Sequence, residues 1–144
     1  MATGICKIQI FAIVAAALHL AGAPAARGDG AIAVGSTGDV VRHGIAFGMM
    51  VNDSAKNAST IALERCRKFE ARDAAKHCKI VATFSRQCYA VALDPEPGTP
   101  GAGWGVDKTQ EAANERALSM CRETAGANRE TFCKIEVGEC DTRN

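Results

Sequence analysis

Residues 58–80 read ASTIALERCRKFEARDAAKHCKI, and residues 113–135 read ANERALSMCRETAGANRETFCKI. A shift of 55 positions, without a gap, lays Ala58 on Ala113, Ala62 on Ala117, Leu63 on Leu118, Cys66 on Cys121 and Arg67 on Arg122. It then lays Cys78-Lys79-Ile80 on Cys133-Lys134-Ile135. The chain is an internal repeat, and its cysteines repeat with it. Ala58, Ala62 and Cys66, like Ala113, Ala117 and Cys121, recur at spacing four, which puts them on one face of a helix. Ile61, Phe69 and Met120 are expected to widen that stripe. Ser54 and Thr109 precede the two runs and are expected to cap them, because a hydroxyl there can accept from an amide of the first helical turn.

Working outward, Ala31-Ile32-Ala33-Val34 matches Ala90-Val91-Ala92-Leu93, and Gly44-Ile45-Ala46-Phe47-Gly48 matches Gly101-Ala102-Gly103-Trp104-Gly105. These short apolar runs, bounded by glycine, proline and polar residues, predict buried strands. Turn residues separate them, Gly35 to Asp39 in one copy and Asp94 to Gly101 in the other, so each pair reads as a hairpin. Cys78 to Phe84 and Cys133 to Val137 return as third strands. The predicted fold is α+β: two tandem strand-strand-helix-strand repeats, mainly antiparallel sheet with one helix per repeat, stapled by disulfides. One copy buries too little apolar surface to stand alone, so the two are expected to share one core or one continuous sheet.

Met1 to about Ala26 carries one cation, Lys7, then an apolar run from Ile8 to Leu20, then small residues. That run is short for a bilayer span and precedes a small-residue site, the pattern of a cleaved secretory signal. A signal over 1–26 leaves one domain at 27–144, divided into repeats at about 29–88 and 89–141. The full chain has 17 basic and 16 acidic residues. Loss of Lys7 balances them, so a strongly basic nucleic-acid surface is not expected, nor membrane attachment once the signal has gone. Loss of Cys6 leaves six cysteines in an oxidising compartment, secreted or periplasmic, where an even count reads as a disulfide framework.

Six cysteines allow fifteen pairings, and spacing does not choose among them. Duplication favours Cys66 with Cys78 and Cys121 with Cys133, a bond from helix end to strand start in each copy. Cys88 and Cys140 are then left for each other as a tie between the repeats. Each local bridge is worth about 3 kcal/mol and the long one about 4 kcal/mol on the chain-entropy account.

Gly30-Ala31-Ile32-Ala33, Ser54 before an alanine-rich helix ending in Cys66, Cys78-Lys79-Ile80-Val81 running to Cys88-Tyr89-Ala90-Val91-Ala92, and Gly103-Trp104-Gly105 before a second such helix resemble the bacterial secreted family known as domain of unknown function 4189. The resemblance runs from about Gly30 to Cys140. The long connections Arg67 to His77 and Arg122 to Phe132 depart from the usual pattern. The resemblance implies export and a small α+β repeat domain, and it transfers no catalytic residue.

Several residue sets invite chemistry and yield to plainer readings. Cys66, His77, Cys78 and Cys88 have the ligand types of a zinc site, but the second copy has Phe132 where His77 stands, and oxidation favours bridges over thiolates. His43, Met49 and Met50 suit a soft copper ion, although apolar neighbours read the methionines as packing. Paired cysteines leave no free thiol nucleophile. Ser36 and Ser85 read as turn residues, and no glycine-bracketed serine elbow is present. An enzyme would lean on Asp39, Asp53 or Glu136 with His43 or His77 as base, and no spacing pairs them. Arg27-Gly28-Asp29 is a three-residue match to an adhesion tripeptide, expected by chance. The glycines of 101–105 open no phosphate-binding turn, since Val106 to Lys108 intervene before the cap.

The expectation is therefore a binding or interaction module for an envelope component, a secreted protein or a host molecule, with no cofactor, metal or catalytic residue. Trp104, Asp94 and Glu96, around the Asp94–Gly101 loop, are the expected partner surface, since tryptophan anchors interfaces. A protein inhibitor is the sharper variant, because rigid loops lose little entropy on binding. The competing class is a small carboxylate-dependent hydrolase.

Overall fold

The computed structural model describes residues 29–142, so the expected signal segment and Arg27-Gly28 lie outside the described residues. The first unit contains β1 (Gly30–Gly35), a one-turn helix α1 (Val40–His43), β2 (Ala46–Met50), α2 (Ala55–Arg67), a second one-turn helix α3 (Arg72–Ala75) and β3 (Lys79–Phe84). The second contains β4 (Cys88–Leu93), β5 (Ala102–Asp107), α4 (Gln110–Ala125), a 3-10 turn at Glu130–Phe132 and β6 (Lys134–Cys140). Each unit forms its own antiparallel three-stranded sheet, in the orders β2-β1-β3 and β5-β4-β6. The architecture is α+β with twin strand-strand-helix-strand units, and the first unit adds α1 and α3 to the one helix expected of it.

The central strands explain the layering. In β1 every residue is buried. Ala31 and Ala33 face α2, where they pack with Ala46, Ala58, Ala62 and Cys66. Ile32 and Val34 face the other way, into a cluster shared with Phe47, Tyr89 and Val91. The second unit repeats this division, with Ala90 and Ala92 packed against Ala113, Ala117 and Cys121 of α4. Small residues let each helix lie close to its sheet, while the bulky residues of both sheets meet in a common core. Burying side chains as large as Ile32 and Val91 stabilises by about 1.5–3 kcal/mol each, and both are fully buried. The order of layers is helix, sheet, sheet, helix, which selects the shared core over one continuous sheet.

Glycines fix the repeat register. A Cβ on Gly48 would stand 2.0 Å from the carbonyl oxygen of Ala62, and one on Gly103 2.2 Å from that of Ala117. No side chain survives such an approach to backbone. Gly48 is therefore the counterpart of Gly103, Phe47 of Ala102 and Met49 of Trp104, which corrects by two residues the match of Phe47 with Trp104 expected from sequence. A two-residue slip keeps every side chain on its own face of a strand, so alternation could not reveal it. The third strands share a bulge: the register shifts between Ile32 and Ala33 opposite β3, and between Val91 and Ala92 opposite β6.

Three bridges join Cys66 to Cys78, Cys121 to Cys133 and Cys88 to Cys140. The last is not a tie between repeats. Cys88 opens β4 and faces Cys140 across the same sheet, so the second unit starts at Cys88 and the bridge closes that unit alone. In the first unit the corresponding places, beyond the Gly30 and Phe84 pair, belong to Asp29 and Ser85. There the Ser85 hydroxyl donates to Asp29 Oδ2 at 3.0 Å. The units are linked by Ser85 to Gln87, with Arg86 at φ 51°. Asp141 clasps that link, accepting from Arg86 N at 2.9 Å and donating its own amide to Gln87 O at 2.8 Å.

Thr109 caps α4, its hydroxyl accepting from Ala112 N at 3.2 Å. Ser54 occupies the same position before α2, but its hydroxyl makes no capping bond. The Asp53 carboxylate beside it takes the amide of Ser54 instead, at 2.6 Å. Phe69 lies beyond the end of α2 and is exposed, so it does not widen the buried stripe.

Candidate functional site

Between the units lies a cleft of about 580 Å³. Val34, Ile45 and Val81 line it from the first unit, and Ala102, Trp104 and Met120 from the second. Its volume falls within the range of small-molecule sites. Ala102 sits where the first unit carries Phe47, and the smaller side chain leaves the space open. Trp104 is half-buried. Its ring meets Phe47 edge-on, with centroids 6.5 Å apart and planes at 66°, a favourable aromatic arrangement that also joins the two sheets. Trp104 and Met120 pass on into an adjoining groove of about 390 Å³ beside Arg116, Ser119 and Glu123.

Polar groups are few. Ser36, His77, Lys79 and Thr124 line the cleft, and no lining residue is acidic. The Thr124 hydroxyl is committed, accepting from Ala102 N and having the carbonyl oxygens of Ala102, Met120 and Cys121 within reach of its one proton. Ser36 Oγ accepts from Gly38 N at 3.0 Å and keeps its own proton to give. His77 and Lys79 are exposed.

The expected partner surface divides. Trp104 lines the cleft, and Pro100 brings the Asp94–Gly101 loop to the same wall. Asp94 does not face a partner: its side chain is wholly buried, held by Arg129 through Nε to Oδ2 at 2.5 Å and Nη2 to Oδ1 at 2.8 Å. The bidentate pair holds the Asp94 carboxyl at about 2, well below its ordinary value, because Arg129 donates to the ionised form. Glu96 is exposed on one side and takes Arg129 Nη1 at 2.5 Å on the other. Arg129 in turn lies over the Phe132 ring, 4.4 Å from its centroid. This network anchors the loop to the connection after α4. Sequence reading missed Arg129, 35 residues away, and missed the cleft walls; the apolar members of β1 and β3 that face away from α2 were the available signal.

The other sets do not converge. Met49 packs in the core between the sheets and Met50 against the helix side, while His43 Nδ1 contacts Asp73 Oδ2 at 3.3 Å. Asp73 also takes Lys76 Nζ at 2.9 Å, and this pairing lowers its carboxyl pKa. Asp39 accepts from Arg42 N at the start of α1, Asp53 sits before α2, and Glu136 is exposed on β6. Among the described residues no group of three or more His, Cys, Asp or Glu could hold a metal ion, and no helix is long and apolar enough to cross a membrane.

Comparison with curated proteins and with solved structures found no match. The family model described as Domain of unknown function (DUF4189) matches residues 29–140. That span takes in both sheets, both long helices and all three bridges, and the chain belongs to this family.

Proposed function

We propose that this protein is an exported binding module, secreted or periplasmic, that holds its ligand in the cleft between the two units. The observation that carries the reading is the apolar cleft of about 580 Å³ with Trp104 in its wall. A core of this size had bulky residues available to fill that space, as Phe47 does at the place corresponding to Ala102. Three bridges and the apolar segment before residue 27 support export. The bridges also hold the walls in place before binding, so little ordering remains to oppose it.

A neutral fluorescent probe, N-phenyl-1-naphthylamine, tests the cleft. Saturable enhancement at one probe per chain is expected, with loss in Ala102→Phe and in Met120→Arg. These two changes install the first unit's residues, Phe47 and Arg65, and circular dichroism checks that each variant folds. Absence of saturable enhancement, or enhancement unchanged in two folded variants, contradicts the reading. A second reading, the protein inhibitor, draws on the Asp94–Gly101 loop, which Arg129 fastens at Asp94 and Glu96 while Pro95 to Gly98 stay exposed.

A further inference from the structure

The cleft is chemically one-sided. Its walls are apolar, and the groups able to meet a ligand's polar end are the Lys79 ammonium, the Ser36 hydroxyl and the His77 ring. The first two donate, and His77 can donate from one ring nitrogen. None of the lining residues is acidic, and Lys79 has no ion-pair partner among the described residues. A cationic ligand would meet Lys79 without a counter-charge. A neutral one would gain the walls and leave the ammonium unused. One cation without a counter-charge at the mouth of an apolar cleft matches a ligand with a hydrocarbon or aryl body and a single negative charge.

We infer that the cleft binds a small amphipathic carboxylate, with its apolar body along Trp104, Met120 and Val81 and its carboxylate at Lys79 and Ser36. This rests on the binding reading above and adds the class of ligand. The body supplies most of the affinity, since each buried methylene contributes about 0.8 kcal/mol, so two further methylenes tighten binding on the order of tenfold. The charge selects among ligands of equal length. Trp104 is the sole tryptophan of the chain, so its emission reports occupancy directly.

The oxidised protein is titrated with octanoate, decanoate, decan-1-ol and decyltrimethylammonium, each below its micelle concentration. Decanoate is expected to shift Trp104 emission saturably, octanoate to bind on the order of tenfold more weakly, and decanol and the cation to bind more weakly than decanoate. Lys79→Gln, an exposed substitution, should weaken decanoate about fivefold and leave decanol unchanged. If decanol or the cation matches decanoate, or Lys79→Gln leaves decanoate unchanged, the ligand class is wrong while the cleft stands as a binding site. If an alanine-leucine hexapeptide with a free C-terminus binds more tightly than decanoate, the occupant is a peptide end and the small-molecule assignment falls. If none of these probes moves the emission and N-phenyl-1-naphthylamine also fails, the binding reading falls with it.

Discussion

Arg129 grips the Asp94 carboxylate through two hydrogen bonds, at 2.5 and 2.8 Å, and this pair makes stability depend on pH. An acid beside Pro95, Pro97 and Gly98 reads as an exposed loop residue, yet its side chain is wholly buried against Arg129. The sign of its effect on stability follows from the pKa. Its carboxyl ionises at about 2 when folded, against an ordinary 3.8, so its contribution is complete above the ordinary value and is lost as pH falls from about 4 through 2. Thermal unfolding midpoints between pH 5 and pH 2 should therefore fall for the wild type more steeply than for Asp94→Asn, with the variant lower at pH 5. Parallel curves would contradict the buried pair. Because Asp73 and Asp107 are also lowered, by Lys76 and by the Lys108 amide with Arg116, the comparison with the variant isolates Asp94. The cation that buries this carboxylate is 35 residues distant, with no periodicity connecting them. Trp104, expected at a partner surface, lines the candidate cleft, and its size and its place beside the glycines single it out in the sequence.

At the scale of elements, strands and long helices were legible wherever period and punctuation agreed. Alanines at spacing four placed α2 and α4, and paired apolar runs placed both hairpins. The one-turn helices α1 and α3 were not, since four residues are too few to show a period. Nor was the role of Cys88 and Cys140, because the chain gives no mark of where one unit ends and the next begins. Their bridge closes the second sheet at the position where the first sheet has the Ser85 to Asp29 hydrogen bond. That equivalence predicts a fourth bridge. The double variant Asp29→Cys with Ser85→Cys should oxidise without loss of fold and raise the unfolding midpoint, by up to about 4 kcal/mol of stability on the chain-entropy account. Persistent alkylation of both new thiols in the folded protein would show that the two units are not equivalent there.

For the whole molecule, the duplication required two halves to complete one core but left their arrangement open. Small residues on one face of each central strand and large ones on the other were visible in Gly30 to Gly35 and in Cys88 to Leu93. They say that both faces are covered, without saying that one sheet covers the other. The structure resolves this through the cluster that joins Ile32, Phe47, Tyr89 and Val91, and the candidate cleft lies between the units, lined by Val34, Ile45 and Val81 from the first and by Ala102 and Trp104 from the second. The same cluster places Phe84 beside Tyr89, with ring centroids 5.9 Å apart. The most direct measurement is a nuclear Overhauser spectrum of the oxidised protein with labelled phenylalanine and tryptophan. Cross-peaks between the Trp104 indole and the Phe47 ring are predicted, from edge-to-face rings on different sheets. Their absence, with contacts within each sheet intact, would contradict a shared core and the cleft built on it.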